Sequence, residues 1–377
     1  MTWGYRRVGA DIVLLNTTLV LVAVGVVMVF NSSLQRPMDS GQNGLMYLYR
    51  QGACGLAGLV AMWWTMRAPY TWLSRYSSVL LSLSLALLLA VYLPVVGIRD
   101  NGAARWVGRG TLRIQPSEIT KLTLILYLAA LLSRNRYDIR DLWNGAFAPM
   151  FTVGVCALLV EAEPDLGTAL VILLTGFTVL YLGGAQLKHI AGMLSAAVLL
   201  VLIAALRHPY RLERIRTFLD PARDPTGTTY QVIQGIRAVG SGWITGLGFG
   251  QGRGKFYLPA ANTDYIFATL AEELGFIGSV LLIALFVVLG YRAFVIARCA
   301  PDRFGTLTAA GIGAWFTSQS LLNMLVVTGA APATGVPLPF VSYGGSSLVV
   351  ALIGIGVLLN ISQYRSERPS GAGPIRT

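Results

Sequence analysis

An aspartate, Asp264, stands where a polar loop gives way to an apolar run in the stretch Leu258–Gly275, LPAANTDYIFATLAEELG. Two further carboxylates, Glu272 and Glu273, follow inside the same run. Charge in a membrane segment is costly, so each of these acids marks either a functional site or a paired group. At a helix start Asp264 has two readings. It is an N-cap accepting from free amides, or a general base at the membrane surface within reach of a lipid-borne hydroxyl. Glu272 and Glu273 lie roughly 12–14 Å further along a helix. That is too deep to share its proton chemistry, and pairing with polar groups of neighbouring helices is expected for both.

Four other stretches carry chemistry. In Gln115-Pro116-Ser117-Glu118-Ile119-Thr120-Lys121, the proline suits a first helical turn and Glu118 the helix dipole. Glu118 and Lys121 are three apart and can pair on one face, or Lys121 can neutralise an anion beside Asp264. The turn Glu161–Thr168 holds Glu161, Glu163 and Asp165 with no base between them, and needs a cation, a basic partner or solvent. The stretch PATGVPLPFVSYGGSS, Pro332–Ser347, must break helical structure, and irregular backbone at membrane depth needs a protein or wet surround. Its Ser342, Tyr343, Ser346 and Ser347 read as a polar cavity wall. Finally GLGFGQGRGK, Gly246–Lys255, fails both as a P-loop, with Phe249 where glycine belongs, and as a GxGxxG dinucleotide motif. It remains a flexible loop whose amides and lysine could approach phosphate.

The elements that must position these residues are membrane helices. The chain has 377 residues, 55% hydrophobic and 12% charged, with net charge +12 and mean hydropathy +0.63. That composition describes a polytopic membrane protein. Its Lys and Arg residues sit in short blocks between apolar runs, as in loops facing anionic headgroups, so nucleic acid is excluded as a partner and membrane lipids are expected. Three scattered cysteines and two histidines build neither a disulfide framework nor a zinc site. The first apolar run, Ile12–Phe30, is too long for a signal-peptide core and reads as a retained helix. Apolar segments near 11–31, 47–66, 76–93, 118–133, 145–160, 166–183, 190–206, 264–290, 305–328 and 343–361 predict ten transmembrane helices in one all-α domain spanning 1–377. The Lys/Arg balance, about 14 against about 6 in the short loops, puts both termini in the cytoplasm. The large loop 207–263, between helices seven and eight, is then extracytoplasmic and the tail 362–377 cytoplasmic. Outer loop 94–117 breaks the charge rule with Arg99, Arg105, Arg109 and Arg113, beside Trp106, and is read as solvated or as binding an anion. Within 207–263, Val232, Ile233, Ile236 and Val239 recur at helical spacing and predict a short amphipathic helix.

These residues also resemble a known family. RWVGRGTLRIQPSEITKL, EPDLGTALVI, FLDPARDPTGTTYQVIQGIRAVGSG, TDYIFATLAEELGFIG and PATGVPLPFVSYGGSS look like the SEDS proteins FtsW, RodA and SpoVE, in order over nearly the whole chain. The resemblance implies a peptidoglycan glycosyltransferase of the bacterial plasma membrane. It would polymerise lipid II onto growing glycan-undecaprenyl pyrophosphate at the outer face, beside a class B penicillin-binding protein. The family aspartate falls on Asp264 as catalytic residue. Substrate-contacting positions fall on Trp106, Glu118, Lys121, Asp165 and Lys255, and Ser342 joins them as cavity wall. Glu163 stands where the family often has glutamine. The resemblance fixes no cofactor, and the carboxylates permit a divalent cation, Mg or Mn. A lipid II flippase would spread ionisable residues through both membrane halves or show inverted repeats, and a non-catalytic scaffold would not need Asp264. The termini suit RodA or SpoVE, and the first and fourth helices lean towards FtsW.

Overall fold

The computed structural model describes residues 5–7, 9–33, 44–93, 96–100, 103–109, 112–134, 138–207, 218, 230–258 and 260–366. The chain is mostly helical. In order come α1 (Ile12–Ser33), α2 (Gly44–Arg67), α3 (Tyr70–Ala90), α4 (Pro116–Leu132), α5 (Phe147–Ala162), α6 (Leu166–Leu182) and α7 (Leu187–Arg207). After these come α8 (Tyr230–Ser241), α9 (Gly254–Tyr257), α10 (Ile266–Cys299), α11 (Arg303–Val327) and α12 (Gly345–Ser362). Each of the ten apolar segments coincides with one of these helices. Six spans are long and apolar enough to cross a membrane: Ile12–Ser33, Tyr70–Ala90, Leu142–Ala162, Ile266–Cys299, Arg303–Val327 and Gly345–Ser362. Many large apolar side chains on them stay uncovered, among them Leu83, Val287 and Phe294. A surface of that kind suits lipid rather than water. The amphipathic helix expected inside 207–263 is α8; residues 208–217 and 219–229 of that loop lie outside the described residues.

Two features depart from an all-α reading. Within loop 94–117 the described residues form a three-stranded antiparallel sheet in the order β2 (Gly97–Asp100), β3 (Ala103–Arg109), β4 (Leu112–Ile114). Its strands are too short for their alternation to stand out in sequence. A second, two-stranded sheet pairs β1 (Tyr5–Arg7) antiparallel with β5 (Tyr364–Ser366). The two terminal segments therefore lie side by side, and the polar tail begins with a strand. Residues 367–377 lie outside the described residues.

The core is built by close helix approach. A methyl on Gly58 of α2 would meet Leu352 of α12 at 2.6 Å. Small residues at such crossings let membrane helices pack backbone to backbone. Asn360 of α12 donates to Thr65 O (3.0 Å) and Met66 O (2.8 Å), closing the carbonyl end of α2.

The helix after Asp264 is not continuous, as the apolar run 264–290 suggests. It breaks at Gly275, with φ 66° and ψ −162°. A break frees amides and carbonyls that lipid cannot satisfy. Here the segment 243–248 lies across the gap and takes them up. Leu247 N and Gly248 N donate to Glu272 O (3.0 Å) and Glu273 O (3.1 Å), while Phe276 N and Ile277 N donate to Trp243 O (2.8 Å) and Ile244 O (3.1 Å). Only glycine fits on both sides, because a methyl on Gly275 would collide with Gly246 N and both residues have positive φ.

Candidate active site

Asp264 sits half-buried immediately before α10. The N-cap position belongs to Tyr265, and no side chain caps there. The turn before the helix is closed by Thr263 N and Tyr265 N, both donating to Ala260 O. Its backbone is then stitched to the irregular segment 328–344. Asn323 Nδ2 donates to Asp264 O (2.8 Å) and to Val336 O (2.7 Å). Tyr343 N donates to Asn262 O at 2.8 Å. Ser342 Oγ donates to Thr263 O (2.6 Å) and accepts from Leu338 N (2.7 Å). The carboxylate faces Gly335: a methyl there would stand 3.4 Å from Oδ2. The proline- and glycine-rich stretch is thus the cradle of Asp264. Ser342, expected as cavity wall, has its hydroxyl committed to that cradle.

The turn between α5 and α6 adjoins the same segment. A methyl on Gly167 would collide with Val336 and come within 2.9 Å of Thr334. Asp165 is the N-cap of α6, accepting from Thr168 N (3.1 Å) through Oδ1 and from Thr168 Oγ1 (3.0 Å) through Oδ2. Gln115 Nε2 also reaches its Oδ2, at 3.4 Å. Arg105 of β3 donates through Nε to Glu163 O (3.0 Å) and through Nη2 to Pro164 O. The basic partner expected for the acidic turn is therefore real, but it binds carbonyls. Strand alternation places Trp106 on the opposite face of β3 from Arg105. Glu163 is 1% exposed, and neither carboxyl oxygen has a partner among the described residues. Burial pushes its pKa up to about 8, the Asp165 charge adds to the rise, and Arg105 offsets part of it.

Glu118 and Lys121 pair as the i, i+3 spacing allows, Nζ to Oε1 at 2.8 Å, both 1% exposed. The pair belongs to a wider network. Lys121 Nζ donates to Gln319 Oε1 (2.7 Å), which also accepts from Trp315 Nε1 (2.7 Å). Gln319 Nε2 donates to Pro337 O (2.8 Å), and Ser347 Oγ to Glu118 Oε2 (3.0 Å). The pair braces α4 against α11 and the cradle rather than opening towards solvent. Gln319 and Asn323 were missed by the sequence reading. Their signal was there, since Trp315, Gln319 and Asn323 recur every four residues along one face of an apolar helix. Gln51, fully buried, donates to Ser342 O (3.3 Å) from α2 and was missed too.

Lys255 lies apart from Asp264. Its side chain is fully buried with Glu273, Nζ to Oε1 at 3.0 Å. It also donates to Asn31 Oδ1 (3.1 Å) and Gly250 O (2.8 Å). Glu273 Oε2 accepts from Asn31 Nδ2 and Gly250 N (3.0 Å). Glu272 accepts from Arg253 N (3.0 Å) and Gly254 N (2.9 Å). The loop 246–255, expected to offer amides and a lysine to phosphate, turns them on these two carboxylates instead. The reason is burial: two acids inside a membrane helix demand partners more strongly than a surface ligand does. The expected pairing with a neighbouring helix holds for Glu273, through Asn31 of α1, whereas Glu272 is held by backbone amides of the 253–254 turn.

Comparison with known proteins agrees with this fold. A family model covering FtsW, RodA and SpoVE, described as cell cycle protein, matches residues 12–367. Stage V sporulation protein E of Bacillus subtilis is 40% identical over 95% of this chain and 98% of its own. A probable peptidoglycan glycosyltransferase FtsW of Trichlorobacter lovleyi is also 40% identical, over 95% of this chain and 94% of its own. Among solved structures, a chain described under the structural coordination of polymerization and crosslinking by a peptidoglycan synthase complex superposes with TM-score 0.78. It is 32% identical, covering 94% of this chain and 97% of that one. The rod shape determining protein RodA of Thermus thermophilus superposes with TM-score 0.69 at 29% identity, over 94% and 96%.

Proposed function

This chain belongs to the FtsW, RodA and SpoVE family and is a multi-pass membrane peptidoglycan glycosyltransferase, and from that premise we propose that it polymerises lipid II with Asp264 as its base. The observation that carries the reading is the way Asp264 is held. Its backbone is fixed by Asn323 and by the neighbouring Ser342 and Tyr343 contacts, while the residue keeps partial exposure. A general base needs that combination of fixed position and access. The sugar 4-hydroxyl of one lipid II would give its proton to Asp264 and attack the anomeric carbon of the donor glycan. Undecaprenyl pyrophosphate would leave with inversion at that carbon.

Charge building on the pyrophosphate needs donors. Arg105 suits this best: two of its guanidinium donors grip the 163–164 carbonyls, and an arginine carries five. Ser117, Thr334, Glu163 and Asn323 hold buried polar atoms without partners among the described residues. Their concentration around the cradle supports a wall completed by a polar ligand. Glu118, Lys121, Asp165 and Lys255 are assigned to positioning, since their polar atoms already serve the fold. Among the described residues no three of His, Cys, Asp and Glu converge to cage a cation. A magnesium ion would then enter with the substrate pyrophosphate, as Mg²⁺ commonly does with one or two carboxylates.

The same reading takes the ten helices as ten crossings, with both termini cytoplasmic and 207–263 outside. The β1–β5 pairing supports it by holding the terminal segments together. A class B penicillin-binding protein is the proposed partner at the outer face. Polymerisation of labelled lipid II by purified wild type, Asp264→Asn and Asp264→Ala, with melting temperatures alongside, tests the reading. Loss of polymer in both variants with the fold retained is expected. Near-normal polymer from the Asn variant removes Asp264 as the base.

A further inference from the structure

A cavity of about 680 Å³ opens between α8, the loop 247–257 and α10. That is the size of a small-molecule site, and it lies away from the cradle of Asp264. Its chemistry is polar. Gln234, Arg237 and Ser241 project into it from one face of α8, spaced i, i+3, i+7. Arg253 and Tyr257 form the opposite wall, with Glu272 at the base. The opposite face of α8 is the anchored one. A methyl on Gly235 would stand 2.8 Å from the Tyr265 ring, and one on Gly329 would meet Ile236 at 2.6 Å. The polar face is therefore held towards the cavity by packing on its back.

The two arginines are the informative part. Among the described residues neither guanidinium has a hydrogen-bond or ion-pair partner. The acid in the wall does not serve them, because Glu272 accepts from the Arg253 and Gly254 amides. Two unpaired guanidinium forks over one cavity match the tetrahedral oxygens of a phosphate, which they bind in bidentate fashion. Tyr257 in its wall, the adjacent Phe256, and Trp243 two residues beyond the lining Ser241 are exposed, at 62%, 57% and 81%. Exposed aromatics of this kind belong at the headgroup level of a bilayer. We propose that this cavity binds the phosphate of a membrane-lipid headgroup. Arg237 and Arg253 grip the phosphate, Gln234 and Tyr257 meet headgroup hydroxyls, and the aromatic rim lies along the upper acyl chains. The occupant braces α8, whose Gly235 backs onto the residue beside Asp264. The site is independent of the chemistry assigned to Asp264, and its test needs no catalysis.

The experiment is lipid retention on the full-length protein in detergent, read by native mass spectrometry. The probes are dioleoyl-phosphatidylglycerol, undecaprenyl phosphate and dioleoylglycerol, which lacks phosphate. Wild type is expected to retain a phosphate-bearing lipid at least about tenfold better than dioleoylglycerol. Arg237→Gln and Arg253→Gln should each weaken retention by about tenfold. Arg140→Gln, an exposed arginine elsewhere, should change nothing. Preference for phosphatidylglycerol identifies a glycerophospholipid site, and preference for undecaprenyl phosphate a polyprenyl one; both uphold the proposal. A double Arg237→Gln/Arg253→Gln variant that melts like wild type yet retains both lipids equally well overturns it. Equal retention of dioleoylglycerol by wild type overturns it as well.

Discussion

Asp264 and Glu273 are nine residues apart on one stretch of chain, and the fold treats their carboxylates in opposite ways. Glu273 is 0% exposed, with an ammonium, an amide and the Asn31 side chain on its two oxygens. Asp264 is fixed through its backbone, and the residue is only half-buried. The contrast separates two uses of an acid in a membrane protein. A structural carboxylate ties segments together, here α1 and the loop 250–255 to α10, by holding donors from each on its two oxygens. One proposed to react must be immobilised by its neighbours while access to it is kept.

Neutralising each acid should expose that difference. Asp264→Asn is expected to lower the polymerisation rate by about 10²–10⁴-fold with a melting temperature close to wild type. The reverse pattern is expected at the clasp. Lys255→Met strands a buried charge, and removing one partner of such a pair costs about 3–5 kcal/mol. In a chain of this size that lowers the melting temperature by roughly 4–6 °C. Adding Glu273→Gln to Lys255→Met should recover more than half of the loss. A Lys255→Met protein that melts normally but does not bind lipid II would move Lys255 into the active site and dissolve the contrast.

Glu163 is an intermediate case, buried like Glu273 but with no carboxyl partner among the described residues. Its pKa is raised from 4.5 to about 8 on folding, so the folded chain holds a proton that the unfolded chain has released. Stability from this group is complete below the ordinary carboxylate range and is lost as pH rises towards and through about 8. Glu163→Gln should remove that slope. Melting curves from pH 5 to pH 9 are expected to cross, with the variant more stable by about 2–4 kcal/mol at the alkaline end. Parallel curves would mean that Glu163 is ionised and paired. The smallest effect is expected at Ser342, where Ser342→Ala removes the hydroxyl between Leu338 N and Thr263 O. A loss of about 1–3 kcal/mol in stability follows, with the KM for lipid II unchanged. A raised KM with unchanged stability would return Ser342 to the substrate.

Much of this molecule is legible from its residues. Apolar runs announce helices because a bilayer demands them at fixed length. Pro116 and the cluster Pro332–Gly344 mark a helix start and a break because backbone sterics are local. The i, i+3 spacing of Glu118 and Lys121 foretells their pair for the same reason. The acids of Glu272 and Glu273 could be read as needing partners, but not which ones. Those partners come from Asn31, Gly250, Arg253, Gly254 and Lys255, brought together by a loop crossing a helix break. The break itself was hidden, since Gly275 in an apolar run looks like any helical glycine until another backbone lies against it. Lys255 went to phosphate in the sequence reading for this reason. A flexible glycine loop with a lysine is electrostatically fit for either anion, and only the tertiary structure, by burying Glu272 and Glu273 within its reach, decided which one it holds.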